Sequence, residues 1–146
     1  MVGQPCKRAL NPHGSILSLD FGELARRQGD DATSPLHGWR HLTVLSPWRL
    51  QDTESVICDW NSDGGTGGVI AELIAQLVGQ SVVSAATDLP AWDLTIRFSN
   101  GVLLVVFGDS NDDREDAWFI LGTDGAECGA APRVRAPGAG GARDER

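Results

Sequence analysis

Apolar and polar positions alternate most clearly in WDLTIRFSNGVLLVVFGD, Trp92 to Asp109. Leu94, Ile96 and Phe98 alternate with Thr95 and Arg97, the period of a strand with one buried face. Asn100-Gly101 follows, and both residues tolerate positive φ, as a two-residue type I′ turn requires. Pairing outward from that turn sets Ser99 opposite Val102, Phe98 opposite Leu103, Ile96 opposite Val105 and Leu94 opposite Phe107. The last six of these residues are then predicted to share one face. Thr95 and Arg97 would lie on the other with Leu104 and Val106, partly covered by a neighbour.

The same alternation predicts a strand over Ser15–Phe21, with Leu17, Leu19 and Phe21 against Ser18 and Asp20. Arg40–Leu50 reads as strand with Leu42 and Val44 on one face, and Pro47 marks a bulge, an edge or a break within it. Ser55–Trp60 puts Val56, Cys58 and Trp60 on one face, and the apolar run Ala117–Leu121 reads as the last strand. In VIAELIAQLVG the period changes to 3.6: Val69, Ile70, Leu73, Ile74, Leu77 and Val78 form an apolar stripe while Glu72 and Gln76 point away. Gly79 stands where a glycine ends a helix. Together these predict an α+β domain: a mainly antiparallel sheet of about six strands with one amphipathic helix packed on one face. Residues 1–128 would form this single domain. Residues 129–146, rich in Ala, Gly, Pro and Arg without apolar periodicity, read as a disordered tail.

Composition adjusts this picture in a few places. A chain of 146 residues with 41% hydrophobic and 22% charged residues suits one globular core. The net charge of −8, with Lys7 as the single lysine, argues against nucleic acid and for a basic partner. Cys6, Cys58 and Cys128 are odd in number and widely spaced, which fits reduced thiols in a cytoplasmic setting. The opening MVGQPCKRAL lacks an apolar signal core, and no apolar run approaches the ~20 residues of a membrane span. The expectation is a cytoplasmic protein away from membranes, its oligomeric state left open.

Candidate chemistry centres on CDWNSDGGTGGVI. Asp59, Asn61, Asp63 and Gly64 occupy positions 1, 3, 5 and 6 of a calcium loop, where hard carboxylate and amide oxygens suit the ion. Position 12 is Ile70 in place of the bidentate Glu, Glu72 lies on the outer helix face, and the preceding segment is strand-like. The preferred reading is a strand-to-helix connector capped by Thr66 or Asp63, with a calcium site on Asp59, Asn61 and Asp63 as the alternative. GGTGG lacks the Lys-Ser/Thr of a phosphate loop and sits among carboxylates, so no phosphate cofactor is expected. A second acidic stretch, GDSNDDRED, reads as a solvated loop. His37 and His41, at i and i+4, would share a face only on a helix, but Gly38 and the strand-like run after Arg40 argue against one, so the two are expected apart. No catalytic motif of a known family is present. Cys58 reads as a core thiol, and no cofactor and no catalytic residue are assigned; an enzyme of undefined type is a further alternative.

Five tryptophans without a tyrosine supply the other candidates. Trp60 and Trp118 are predicted in the core, while Trp39, Trp48 and Trp92 stand at loop edges beside Gly or Pro. The combination HGSILSLDFG, SPWRL, LVGQSVV, DLTIRFSNGVLLVVFGDS and AWFIL, from His13 to Leu121, resembles small bacterial α+β proteins, some similar to immunity proteins of polymorphic-toxin systems. That resemblance implies an antiparallel sheet with one helix and a binding role, and it carries no catalytic residue. The expected function is a non-catalytic protein-binding domain, an immunity-like inhibitor of a basic toxin. Its partner surface is expected to use Asp109, Asp112, Asp113, Glu115 and Asp116, with Trp39 and Trp92 as anchors.

Overall fold

The computed structural model describes residues 1–26, 29–64, 68–108, 117–125 and 127–130. Among these, ten strands form two antiparallel sheets, more than the six strands of one sheet that alternation predicts. In chain order the strands are β1 (Cys6–Leu10), β2 (Leu17–Phe21), β3 (Arg40–Val44), β4 (Trp48–Gln51) and β5 (Val56–Asp59). A helix, α1 (Val69–Ile74), runs into a 3-10 turn over Ala75–Leu77. The remaining strands are β6 (Val82–Asp88), β7 (Asp93–Phe98), β8 (Leu103–Val106), β9 (Trp118–Gly122) and β10 (Glu127–Ala130). The first sheet has the order β1-β2-β3-β9-β10 and the second β5-β4-β8-β7-β6.

One apolar core lies between the sheets. Leu17, Leu19, Phe21, Leu42, Val44 and Trp118 enter it from the first, and Trp48, Leu50, Leu94, Ile96, Phe98, Leu104 and Val106 from the second. Phe21 and Phe98 stack across the gap with ring centroids 6.3 Å apart. Each buried tryptophan also ties its polar N–H to the other side: Trp48 Nε1 donates to Ser15 O at 2.7 Å and Trp118 Nε1 to Trp92 O at 2.9 Å. Where β1 and β6 approach, Gly3 N donates to Val82 O at 2.8 Å and Val82 N to Gln4 O at 3.0 Å, joining the two sheets.

Pro47 breaks the long strand predicted over Arg40–Leu50, as its missing N–H requires. β3 ends before it in the first sheet, and β4 begins after it in the second. Trp48 is therefore fully buried, against its expected place at a loop edge. The reverse holds for Trp60, predicted in the core but 43% exposed. A register shift opposite Leu50 and Gln51 puts Val56 and Cys58 on different faces, so Cys58 is buried and Val56 is not, while Trp60 lies past the end of β5.

The hairpin of β7 and β8 exists with a different register: Leu94 faces Val106, Ile96 faces Leu104 and Arg97 faces Leu103. The turn has three residues, Ser99 to Gly101. Only Gly101 takes positive φ, at 87°, while Gly101 N donates to Phe98 O and Phe98 N to Val102 O. This is the three-residue turn with a glycine bulge. It moves Val102, Leu104 and Val106 into the core and leaves Leu103, Val105 and Phe107 half-buried outside.

The helix is shorter than its stripe. It buries Ile70 and Ile74, and the 3-10 turn buries Leu77; Val69 and Val78 are exposed at the two ends. Its N-cap is Gly68, with no side-chain cap, in place of the predicted Thr66 or Asp63. Two strands, β1 and β6, carry too little alternation to be predicted, and β10 follows β9, the predicted last strand. Residues 131–146 lie outside the described residues, and with them nearly all of the predicted tail.

Candidate functional site

On the outer face of the first sheet, Ser18 and Asp20 stand two residues apart on β2, and His41 lies opposite Asp20 on β3. The segment after β2 crosses back over this face. Ala25 and His37 exchange backbone hydrogen bonds of 2.7 and 2.8 Å, which seats His37 above Asp20. Gly38 permits the crossing: a Cβ there would come within 2.7 Å of Phe21 N and O and 2.9 Å of Asp20 Cβ. The predicted separation of His37 from His41 is thus overturned. Their rings meet edge to face with centroids 4.8 Å apart, through a bend over the sheet instead of a helix turn.

Asp20 is fully buried, and its oxygens gather donors from three directions. Oδ1 accepts from His41 Nδ1 at 2.6 Å and Gly38 N at 2.8 Å; Oδ2 accepts from Arg8 Nε at 2.9 Å. Arg8 also donates through Nη2 to Leu36 O at 2.6 Å, tying β1 to the crossing segment. His37 Nδ1 lies 3.9 Å from Asp20 Oδ1. Burial alone pushes the Asp20 carboxyl up, but the bonds from His41, Gly38 and Arg8 outweigh it and hold it at about 2, below the ordinary 3.8. With Nδ1–H of His41 committed to this carboxylate, Nε2 pairs with the Ser18 hydroxyl at 3.0 Å.

Ser18, His41 and Asp20 therefore stand in the atom order of a hydrolytic triad. Acyl transfer also requires free N–H groups to hold an oxyanion. β2 is paired on both sides, by β1 and β3, so the amides around Ser18 are spent in the ladder. Ser18 lies within a strand and not on an exposed strand-to-helix elbow. The arrangement orients His41 and encloses a charge.

The sequence-derived candidates are elsewhere. Asp59 Oδ1 accepts Asn61 N at 2.9 Å, Asp59 N donates to Ser62 Oγ at 3.1 Å, and Asp63 O accepts Ile70 N at 2.9 Å. Asp59, Asn61 and Asp63 thus lie in the turn that carries β5 into α1, with Glu72 exposed on the helix. Asp109, Asp112, Asp113, Glu115 and Asp116 lie outside the described residues. Trp92, half-buried with φ of 63°, adjoins their origin: a Cβ on Gly108 would lie 2.2 Å from Trp92 O. Trp39 is half-buried, with the Arg40 guanidinium 3.8 Å from its ring centre. Cys58 is a buried thiol, pushed up to about 11 by burial and by Asp59; Cys6 is pushed up to about 12, mainly by burial.

Two features escaped the sequence. One is the Asp20 cluster, whose signal was a carboxylate inside the apolar strand LSLDF. The other is the edge at Trp60. β5 pairs with β4 along one side. The β4–β5 turn bears a shallow depression of about 250 Å³ lined by Arg49, Gln51, Asp52, Glu54, Ser55 and Val56. Among the described residues, no helix is long and apolar enough to cross a membrane. Comparison with known proteins finds no matching family, curated relative or solved structure.

Proposed function

We propose that the chain is a non-catalytic protein-binding domain, an immunity-like inhibitor that masks a basic toxin domain. The observation that carries this reading is Trp60, a large aromatic side chain left 43% exposed at the end of an edge strand, between Asp59 and Asn61. An exposed indole is a favoured anchor of protein interfaces, and its face accepts a guanidinium when carboxylates stand nearby. The strand edge of β5 offers main-chain groups to an added strand. The net charge of −8 favours fast encounter with a basic surface. Trp92, beside the root of the 109–116 stretch, is a second anchor; Trp39 already stacks on the chain's own Arg40.

The test starts from tagged full-length protein recovered from its native cells at low salt. One stoichiometric basic polypeptide, released at high salt, is the expected companion. With that partner purified, Trp60→Ala should speed dissociation about 30-fold, the loss expected of a hot-spot residue. Charge reversal at Asp109, Asp112 and Asp113 should slow association and flatten its salt dependence. Recovery without a companion, or kinetics that none of these changes moves, overturns the reading.

A further inference from the structure

We propose that Asp20, His37 and His41 form a binding site for one divalent ion of the zinc class. Their ligand atoms, one carboxylate oxygen and two imidazole nitrogens, all lie within 4.8 Å of one another. Asp20 and His41 are buried, and His37 is largely covered. A four-coordinate ion with bonds near 2.0–2.2 Å sets neighbouring ligand atoms roughly 3.3 Å apart. His41 Nδ1 is 2.6 Å from Asp20 Oδ1 and His37 Nδ1 is 3.9 Å from it. Of these two spacings one has to open and the other to close, each by less than about 1 Å, to meet that geometry. The two imidazole nitrogens, within 4.8 Å of each other, have to close by up to about 1.5 Å. Two imidazoles with one carboxylate suit zinc, cobalt or nickel better than calcium or magnesium, which prefer all-oxygen shells.

The surroundings are already those of ligands held in place. Ser18 Oγ fixes the far nitrogen of His41, and Arg8 holds the far oxygen of Asp20. The ion would take the place of the proton on His41 Nδ1, His41 changing tautomer so that Nε2–H donates to Ser18 Oγ, while Gly38 N keeps the second lone pair of Oδ1. The Arg8 charge opposes a cation, so the affinity lies below that of a site without it. Ligands come from β2, β3 and the crossing segment, so the ion would fasten that segment to the sheet.

Chelator-treated full-length protein carrying Cys128→Ser, which removes the exposed thiol, is titrated with Co²⁺ by absorption and with Zn²⁺ by calorimetry. One ion per chain, the visible bands of four-coordinate cobalt and a raised melting temperature are expected. His37→Ala, outside the strands, should weaken binding by at least about 100-fold. Ser18→Ala, which removes an outer partner, should weaken it about 10-fold. His13→Ala, remote from the cluster in sequence, should change nothing. Absence of uptake, uptake by the His37→Ala protein at unchanged affinity, or equal loss in His13→Ala overturns the proposal.

Discussion

Asp20 and Asp59 both accept a backbone amide, yet the two carboxylates serve different levels of structure. Asp20 takes the amide of Gly38, 18 residues on, together with side chains from β1 and β3. Asp59 takes the amide of Asn61, two residues on, within its own turn. The first charge is buried because distant parts of the chain converge to satisfy it. The second is satisfied locally, beside a Trp60 that is 43% exposed. A buried carboxylate here fixes tertiary structure; a turn carboxylate leaves surface free for a partner.

That contrast is broken most severely at Asp20. Asp20→Ala leaves Arg8, His41 and Gly38 N–H facing an apolar gap and should cost about 3–5 kcal/mol in denaturant unfolding. Gly38→Ala should follow at about 1–3 kcal/mol, because backbone and not a flexible side chain meets the new methyl group. Acid comes next. The folded-state value of Asp20 lies below the ordinary one, so its stabilisation is whole above pH 3.8 and is lost as pH falls toward 2. A series of melts across that window should show a steeper loss for the natural protein than for Asp20→Asn. At the other pole, Trp60→Ala should change unfolding free energy by less than about 1 kcal/mol. A larger loss would place its ring in the core and erase the contrast.

Much of the second sheet was legible because its rules are local. Leu94, Ile96 and Phe98 alternate strictly, and the structure buries all three. The partner face on β8 was misread since Asn100-Gly101 serves a two-residue turn or a three-residue one, and a single residue of difference inverts β8. Pro47 announced a bulge, an edge or a break, but no local rule says that the chain changes sheets there, and the place of Trp48 follows from that change. Of the candidate sites, the Asp59 turn was readable from its loop-forming residues between a strand pattern and a helix pattern, although its spacing also matched a calcium loop. The Asp20 cluster was not, because it assembles residues from Arg8 to His41 through a crossing segment that only the folded sheet defines.

The order of strands also sets a schedule for synthesis. β3 finds its outer neighbour in β9 and β4 finds its own in β8, so neither sheet closes until the later half of the chain emerges. Until then β3, which bears His41, presents a bare edge to the cell. Such delayed pairing slows folding and exposes the nascent chain to wrong strand partners. A chain stopped after Val106 could complete β4 but would leave His41 on an open margin. Carboxy-terminal truncation should therefore reach the histidine cluster, although no residue of the cluster is removed.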